Sequence, residues 1–209
     1  MPPGSSKPGE RWKAHTTGFV LCGGKSLRMG VDKALLTDAR GQSMLQRALS
    51  RLEPICGEVL LACGRAPRYG DLGRELVLDQ RADGGPLAGL EASLSRARTP
   101  WTLVLACDMP RASTEHLLAL LARTEADDLD VCMFETEGGA EPLFAAYSAR
   151  CLPAVRAALD RGERRMVGFH AVPVEGRALR IAALSARGTN AAQNLNTPAD
   201  WDEFQGGSR

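Results

Sequence analysis

The chain has 209 residues with 26 lysines and arginines against 25 aspartates and glutamates, and this near-zero balance argues against a polyanion binder working through bulk charge. At 44% hydrophobic and 24% charged residues it lies within the range of folded domains and outside the regime of disorder. No stretch approaches the roughly 20 apolar residues that a membrane-spanning helix requires, so neither nucleic acid nor membrane is an expected partner.

Residues 1–16 are rich in Pro, Gly and Ser, lack the apolar core of a signal peptide, and read as a disordered lead-in. From Thr17 onward come short apolar runs, too brief for amphipathic helices but suited to strands buried on both faces, at 18–22, 58–63, 75–79, 101–107 and 130–134. Helical spacing occupies 43–52, 86–97, 113–123 and 149–161, and Thr197-Pro198-Ala199-Asp200 opens a last helix running to about Phe204. Pro86 suits a first helical turn. Ser113 suits an N-cap, but His116 stands three residues on where Glu or Gln would close a capping box, so no reciprocal box is expected there. The alternation predicts an α/β fold of parallel βαβ units, an open twisted sheet with helices on both faces, in a single domain over 17–205 followed by a tail at 206–209. In such sheets ligands bind beyond the carboxyl ends of the strands.

The six cysteines include no C-x-x-C pair and do not cluster with the three histidines, which argues against zinc. Cys22, Cys63, Cys107 and Cys132 sit in or at the end of apolar runs and read as reduced core thiols of a cytoplasmic protein.

Four segments carry the candidate chemistry. The first is Leu21-Cys22-Gly23-Gly24-Lys25-Ser26-Leu27-Arg28-Met29-Gly30-Val31-Asp32-Lys33, directly after the first strand. Its glycines permit a tight turn and close approach to a ligand, while Lys25, Arg28 and Lys33 offer cations to phosphates. Only four of the 26 basic residues are lysines, and two of those fall here, as if a compact point charge were needed. Neither a Walker A loop nor G-x-G-x-x-G is present. The second is Cys107-Asp108-Met109-Pro110 at the end of the most apolar strand, where Asp108 is a candidate to hold Mg²⁺ together with substrate phosphates. The third is Asp79 with Asp83-Gly84-Gly85-Pro86-Leu87-Ala88-Gly89; the carboxylate suits a ring N–H and an exocyclic amine of a base, and a simple turn is an equally adequate reading. The fourth is Asn194-Leu195-Asn196-Thr197-Pro198, whose amides either cap the following helix or offer an oxygen to a metal.

Taken together, L-x-G-G-x-S-x-R-M-G-x-D-K, G-P-L-A-G, C-D-M-P and N-x-N-T-P resemble the MobA-like nucleotidyltransferases over about residues 17–204. The resemblance implies a Rossmann-like three-layer sandwich with a mostly parallel sheet. It also implies transfer of GMP from GTP to the phosphate of molybdenum-bound molybdopterin, with release of pyrophosphate. Leu21, Cys22, Gly23, Gly24, Lys25, Lys33, Asp79 and Asp108 match nucleotide-binding positions of the family. Arg28, Lys33 and Asp108 match its catalytic positions, Asp108 and Asn196 its Mg²⁺ positions, and Gly162-Glu163-Arg164-Arg165 a stretch on the acceptor side. A protein that delivers molybdopterin is an implied partner. The chain departs from the pattern at Cys22, where alanine is usual, at Ala62, where an asparagine is expected, and at Glu141-Pro142, where His-Pro is common. A sibling activity using CTP or another phosphorylated acceptor, and a nucleotide-binding module without catalysis, are the alternatives.

Overall fold

The computed structural model describes residues 9–23 and 32–206. Gly24, Lys25 and Arg28 of the first motif lie outside the described residues.

Among the described residues seven strands form one sheet in the order β3-β2-β1-β4-β6-β5-β7: β1 Thr16–Leu21, β2 Glu58–Ala62, β3 Leu76–Val77, β4 Trp101–Ala106, β5 Val131–Thr136, β6 Gly139–Ser148 and β7 Ile181–Ser185. Helices α2 (Met44–Leu52) and α4 (Thr114–Asp127) pack on one face, with Leu45, Leu49, Leu52, Leu117 and Leu121 in the same core cluster as Val20, Leu61 and Leu105. Helices α3 (Gly85–Arg96) and α5 (Leu152–Asp160) cover the other, where Leu87, Leu90, Val155 and Leu159 meet Val104 and Tyr147. Each such leucine taken fully out of water contributes about 1.5–3 kcal/mol, so the long apolar runs on both faces hold the three layers together. A last helix, α6 Pro198–Gly206, sets Phe204 against Met44 and Leu195.

The five strands read from apolar runs are present, and the sheet is mostly parallel: β1 pairs parallel with β2 and β4, β2 with β3, and β5 with β7. Simple βαβ repetition fails at β6, which runs antiparallel to both β4 and β5. A register shift opposite Met133 and Phe134 leaves Pro142 and Leu143 without ladder partners, so the proline needs no amide there.

Other readings are corrected. The lead-in does not reach residue 16: Glu10–Lys13 form α1, and Trp12 is only 5% exposed in the α2/α4 core, where burial of an indole supplies what so short a helix cannot. Gly206, expected to begin the tail, is the last residue of α6. The capping box before α4 does form: the Ser113 amide donates to His116 Nδ1 at 3.3 Å while the His116 amide donates to Ser113 Oγ at 3.3 Å. A neutral imidazole nitrogen accepts as a Glu oxygen would. All six cysteines are free; Cys22, Cys63 and Cys132 are buried as expected, Cys107 is only partly so, and Cys56 and Cys151 are buried as well. Among the described residues no helix is long and apolar enough to cross a membrane.

Candidate active site

The strand order reverses direction at β1, whose chain neighbour β2 lies on one side and β4 on the other. At that point the carboxyl ends of parallel strands open a crevice. A cavity of about 740 Å³ occupies it, lined by Leu21, Cys22 and Gly23 after β1, Gly64 and Arg65 after β2, Asp79 after β3, Cys107 and Asp108 after β4, Lys33, and the Gly84-Gly85-Pro86 turn. Thus the described candidate residues Leu21, Cys22, Gly23, Lys33, Asp79 and Asp108 share one wall system.

Two glycines are required by geometry. A Cβ on Gly23 would lie 2.7 Å from the Gly64 amide nitrogen, so only glycine lets the ends of β1 and β2 close together. Gly85 has φ +60°, and a Cβ there would also press on the Arg164 carbonyl at 3.1 Å. Through that contact the Gly162–Arg165 stretch borders the cavity without lining it, with Glu163 clasped by Arg165.

At one end of the cavity the charged groups converge. Lys33 Nζ donates to Asn196 Oδ1 at 2.9 Å and lies 3.8 Å from Asp108 Oδ2. The Leu195 amide donates to the Asp108 carbonyl at 2.9 Å, which fastens the asparagine motif to the end of β4. Burial pushes the Asp108 carboxyl above its ordinary value, with Lys33 opposing. Asn194 Nδ2 donates to Glu141 Oε2 at 3.0 Å, while its own buried Oδ1 has no partner among the described residues. Burial likewise raises the Glu141 carboxyl, with the Asn194 bond opposing. Oxygens that already hold an ammonium, beside an orphaned amide oxygen, suit a hard divalent cation that completes its shell with phosphates and water. No cluster of three His, Cys, Asp or Glu side chains makes a preformed cage among the described residues.

Lys33 is itself positioned. The preceding Asp32 caps the short 3₁₀ turn Lys33–Leu35 by accepting from the Ala34 amide, and takes bonds from Tyr69 Oη at 2.8 Å and Arg68 at 2.9 Å. Sequence reasoning missed this brace, because Arg68 and Tyr69 belong to a loop with no motif.

At the other end stands Asp79. Its amide donates to the Gly64 carbonyl at 2.8 Å, and its buried Oδ1 has no hydrogen-bond partner among the described residues. Burial raises its pKa, with Arg65 opposing. Three strand spacings, about 14 Å, separate the β4 end from the β3 end, the scale of an extended nucleotide. Also missed were Arg65 and Leu143, which line the cavity. A single arginine among 22 gives no signal, and Leu143 is turned inward by an irregularity of β6 that alternation does not reveal.

A carboxylate, a lysine and a glycine turn stand around one strand-end crevice of a mostly parallel sheet, where α/β proteins bind ligands. The MobA-like NTP transferase domain matches residues 18–174, more than half of the chain, and the chain belongs to that family. A protein named probable molybdenum cofactor guanylyltransferase in Chloroflexus aggregans is 34% identical over 192 residues, covering 88% of this chain and 90% of the relative. Among solved structures, the molybdopterin-guanine dinucleotide biosynthesis protein A of Archaeoglobus fulgidus superposes with a TM-score of 0.75 at 21% identity, covering 92% of this chain and 98% of that one. The Mycobacterium tuberculosis protein Rv0371c, solved in complex with manganese, has a TM-score of 0.65 at 18% identity, covering 92% and 98%.

Proposed function

We propose that this nucleotidyltransferase is a molybdenum cofactor guanylyltransferase, transferring GMP from GTP to the phosphate of molybdenum-bound molybdopterin with release of pyrophosphate. The observation that carries the reading is a single cavity lined by Lys33 and Asp108 at one end, with Asn196 outside the lining but bonded to Lys33, and by Asp79 at the other, whose Oδ1 has no hydrogen-bond partner among the described residues, in a chain one-third identical to named guanylyltransferases across most of its length.

The chemistry required is in-line attack by an acceptor phosphate oxygen on the α-phosphorus of GTP. Both reactants are anions, so positioning and charge neutralisation carry most of the rate. Lys33, fixed by the Asp32 brace, binds the phosphates as a point charge, and Lys25 and Arg28 add to it. The backbone at Leu21, Cys22 and Gly23 lies against the nucleotide, and Gly24 is assigned to nucleotide binding by its place in the motif. Asp79 accepts from the base. Asp108 and Asn196 are the residues to hold Mg²⁺, which when bound supplies Lewis-acid neutralisation of the phosphate oxygens. The manganese found with Rv0371c fits a divalent cation in that role. A molybdopterin-delivery protein completes the proposed set of partners.

The test is thermal stabilisation by GTP, CTP, UTP and ATP in parallel with Mg²⁺, since a ligand of the native state raises stability by mass action. GTP should stabilise most. Preference for CTP would move the activity to cytidylyl transfer, and no response to any nucleotide would remove the site.

A further inference from the structure

We propose that Arg65 is a specificity-determining residue, its guanidinium donating to the O6 edge of guanine while Asp79 accepts from N1–H and the 2-amino group. The inference rests on the reading of the chain as a guanylyltransferase and says how this chain tells guanine from the other bases without an asparagine at Ala62.

The geometry comes from adjacent strand ends. β2 and β3 pair with Ala62 opposite Val77, and the Asp79 amide then donates to the Gly64 carbonyl at 2.8 Å, so Arg65 emerges directly beside Asp79. Both side chains line the same cavity. Their charges interact there, Arg65 opposing the rise that burial imposes on Asp79. Both are also uncommitted. The Asp79 Oδ1 is buried without a partner, and Arg65 makes no side-chain hydrogen bond or ion pair among the described residues. Its neighbours differ: Arg68 is tied to Asp32, Arg74 to Glu53 and Arg81 to Glu91 and Asp160. Arg65 also lies at the β2/β3 side of the crevice, away from Lys33 and Asp108 at the β4 end, which places it at the base and not at the reacting phosphate.

The chemistry is selective. Guanine presents one acceptor, O6, next to two donors, N1–H and N2–H, and a cation beside a carboxylate is the complement of that order. Adenine offers an amine where Arg65 donates and a lone pair where Asp79 accepts. Cytosine turns its N3 lone pair towards the carboxylate. Uracil has one donor for a carboxylate that can take two.

Arg65→Met keeps much of the aliphatic stem and, at an exposed position, leaves folding intact, which a melting curve of the free protein checks. Dissociation constants for GTP, ITP and ATP with Mg²⁺ would be measured on wild type and variant. The expected result is a loss of about tenfold or more for GTP in the variant. ATP binding should be little changed and the GTP to ITP ratio preserved, because the 2-amino group is read by Asp79. Equal weakening of GTP and ATP would make Arg65 a phosphate cation and overturn the proposal, as would unchanged GTP affinity. A wild type that does not prefer GTP to ATP would overturn the guanylyltransferase reading itself, and this proposal with it.

Discussion

Asp130 and Asp108 are the same residue type at opposite rims of one sheet, and their surroundings differ in every respect that matters. Asp130 precedes β5 at the amino ends of the parallel strands, has no solvent exposure, and is fully paired. Arg177 grips it with two bonds of 2.7 and 2.9 Å, the Arg180 amide donates at 2.9 Å, and Arg150 lies at 3.1 Å. Burial pushes its carboxyl up, but Arg177, the Arg180 amide and Arg150 outweigh this and hold it below its ordinary value. At the carboxyl ends, Asp108 and Asp79 are raised by burial, because each is left with too few partners. One rim uses its carboxylate to tie β5, β6 and β7 together. The other leaves Asp79 Oδ1 without a hydrogen-bond partner among the described residues and gives Asp108 a single distant ammonium, at a cost in stability, for ligands.

The contrast can be broken by substitution, and the largest effect is expected at Asp108. Asp108→Ala should lower turnover by at least about 10³-fold while the melting curve stays cooperative; near-normal turnover would remove it as the metal ligand. Asp130→Asn should do the reverse, costing about 3 kcal/mol in urea unfolding with kcat unchanged in the fraction that remains folded. Its folded pKa is depressed, so this stabilisation is present above the unfolded value and lost as pH falls through the folded one. The stability gap between wild type and Asp130→Asn should therefore narrow below about pH 4. Lys33→Ala should slow turnover by about 10²-fold in a steady-state assay, and unchanged turnover would remove it as the phosphate cation. The smallest effect on stability is expected for Asp79→Asn. A raised folded pKa means that the ionised group costs stability above that pKa, so the amide variant should melt higher than wild type at pH 7, with the difference closing as pH falls to the unfolded value.

How much of this was legible follows from what each element needs. β1 and β4 are buried on both faces and read as continuous apolar runs, whereas β6 begins Gly139-Ala140-Glu141-Pro142, polar and interrupted, and β7 is an edge strand with exposed Ala183 and Ser185. α1 exists because Trp12 is buried by residues distant in sequence, a tertiary cause that local pattern does not carry. In the site, Asp79, Asp108 and Lys33 stood out because strand ends and turn glycines mark them. The Asp32 brace from Arg68 and Tyr69, and the exposure of Arg65 to the cavity, depend on the path of one loop and had no periodic signature.

The most direct test of the central claim is to supply the protein with Mg²⁺, molybdenum-bound molybdopterin and each of the four nucleoside triphosphates, and to follow pyrophosphate release together with formation of the dinucleotide. The account predicts release with GTP, dependent on the acceptor and accompanied by the guanine dinucleotide. Release with CTP instead, or nucleotide binding with no transfer from any triphosphate, would contradict it.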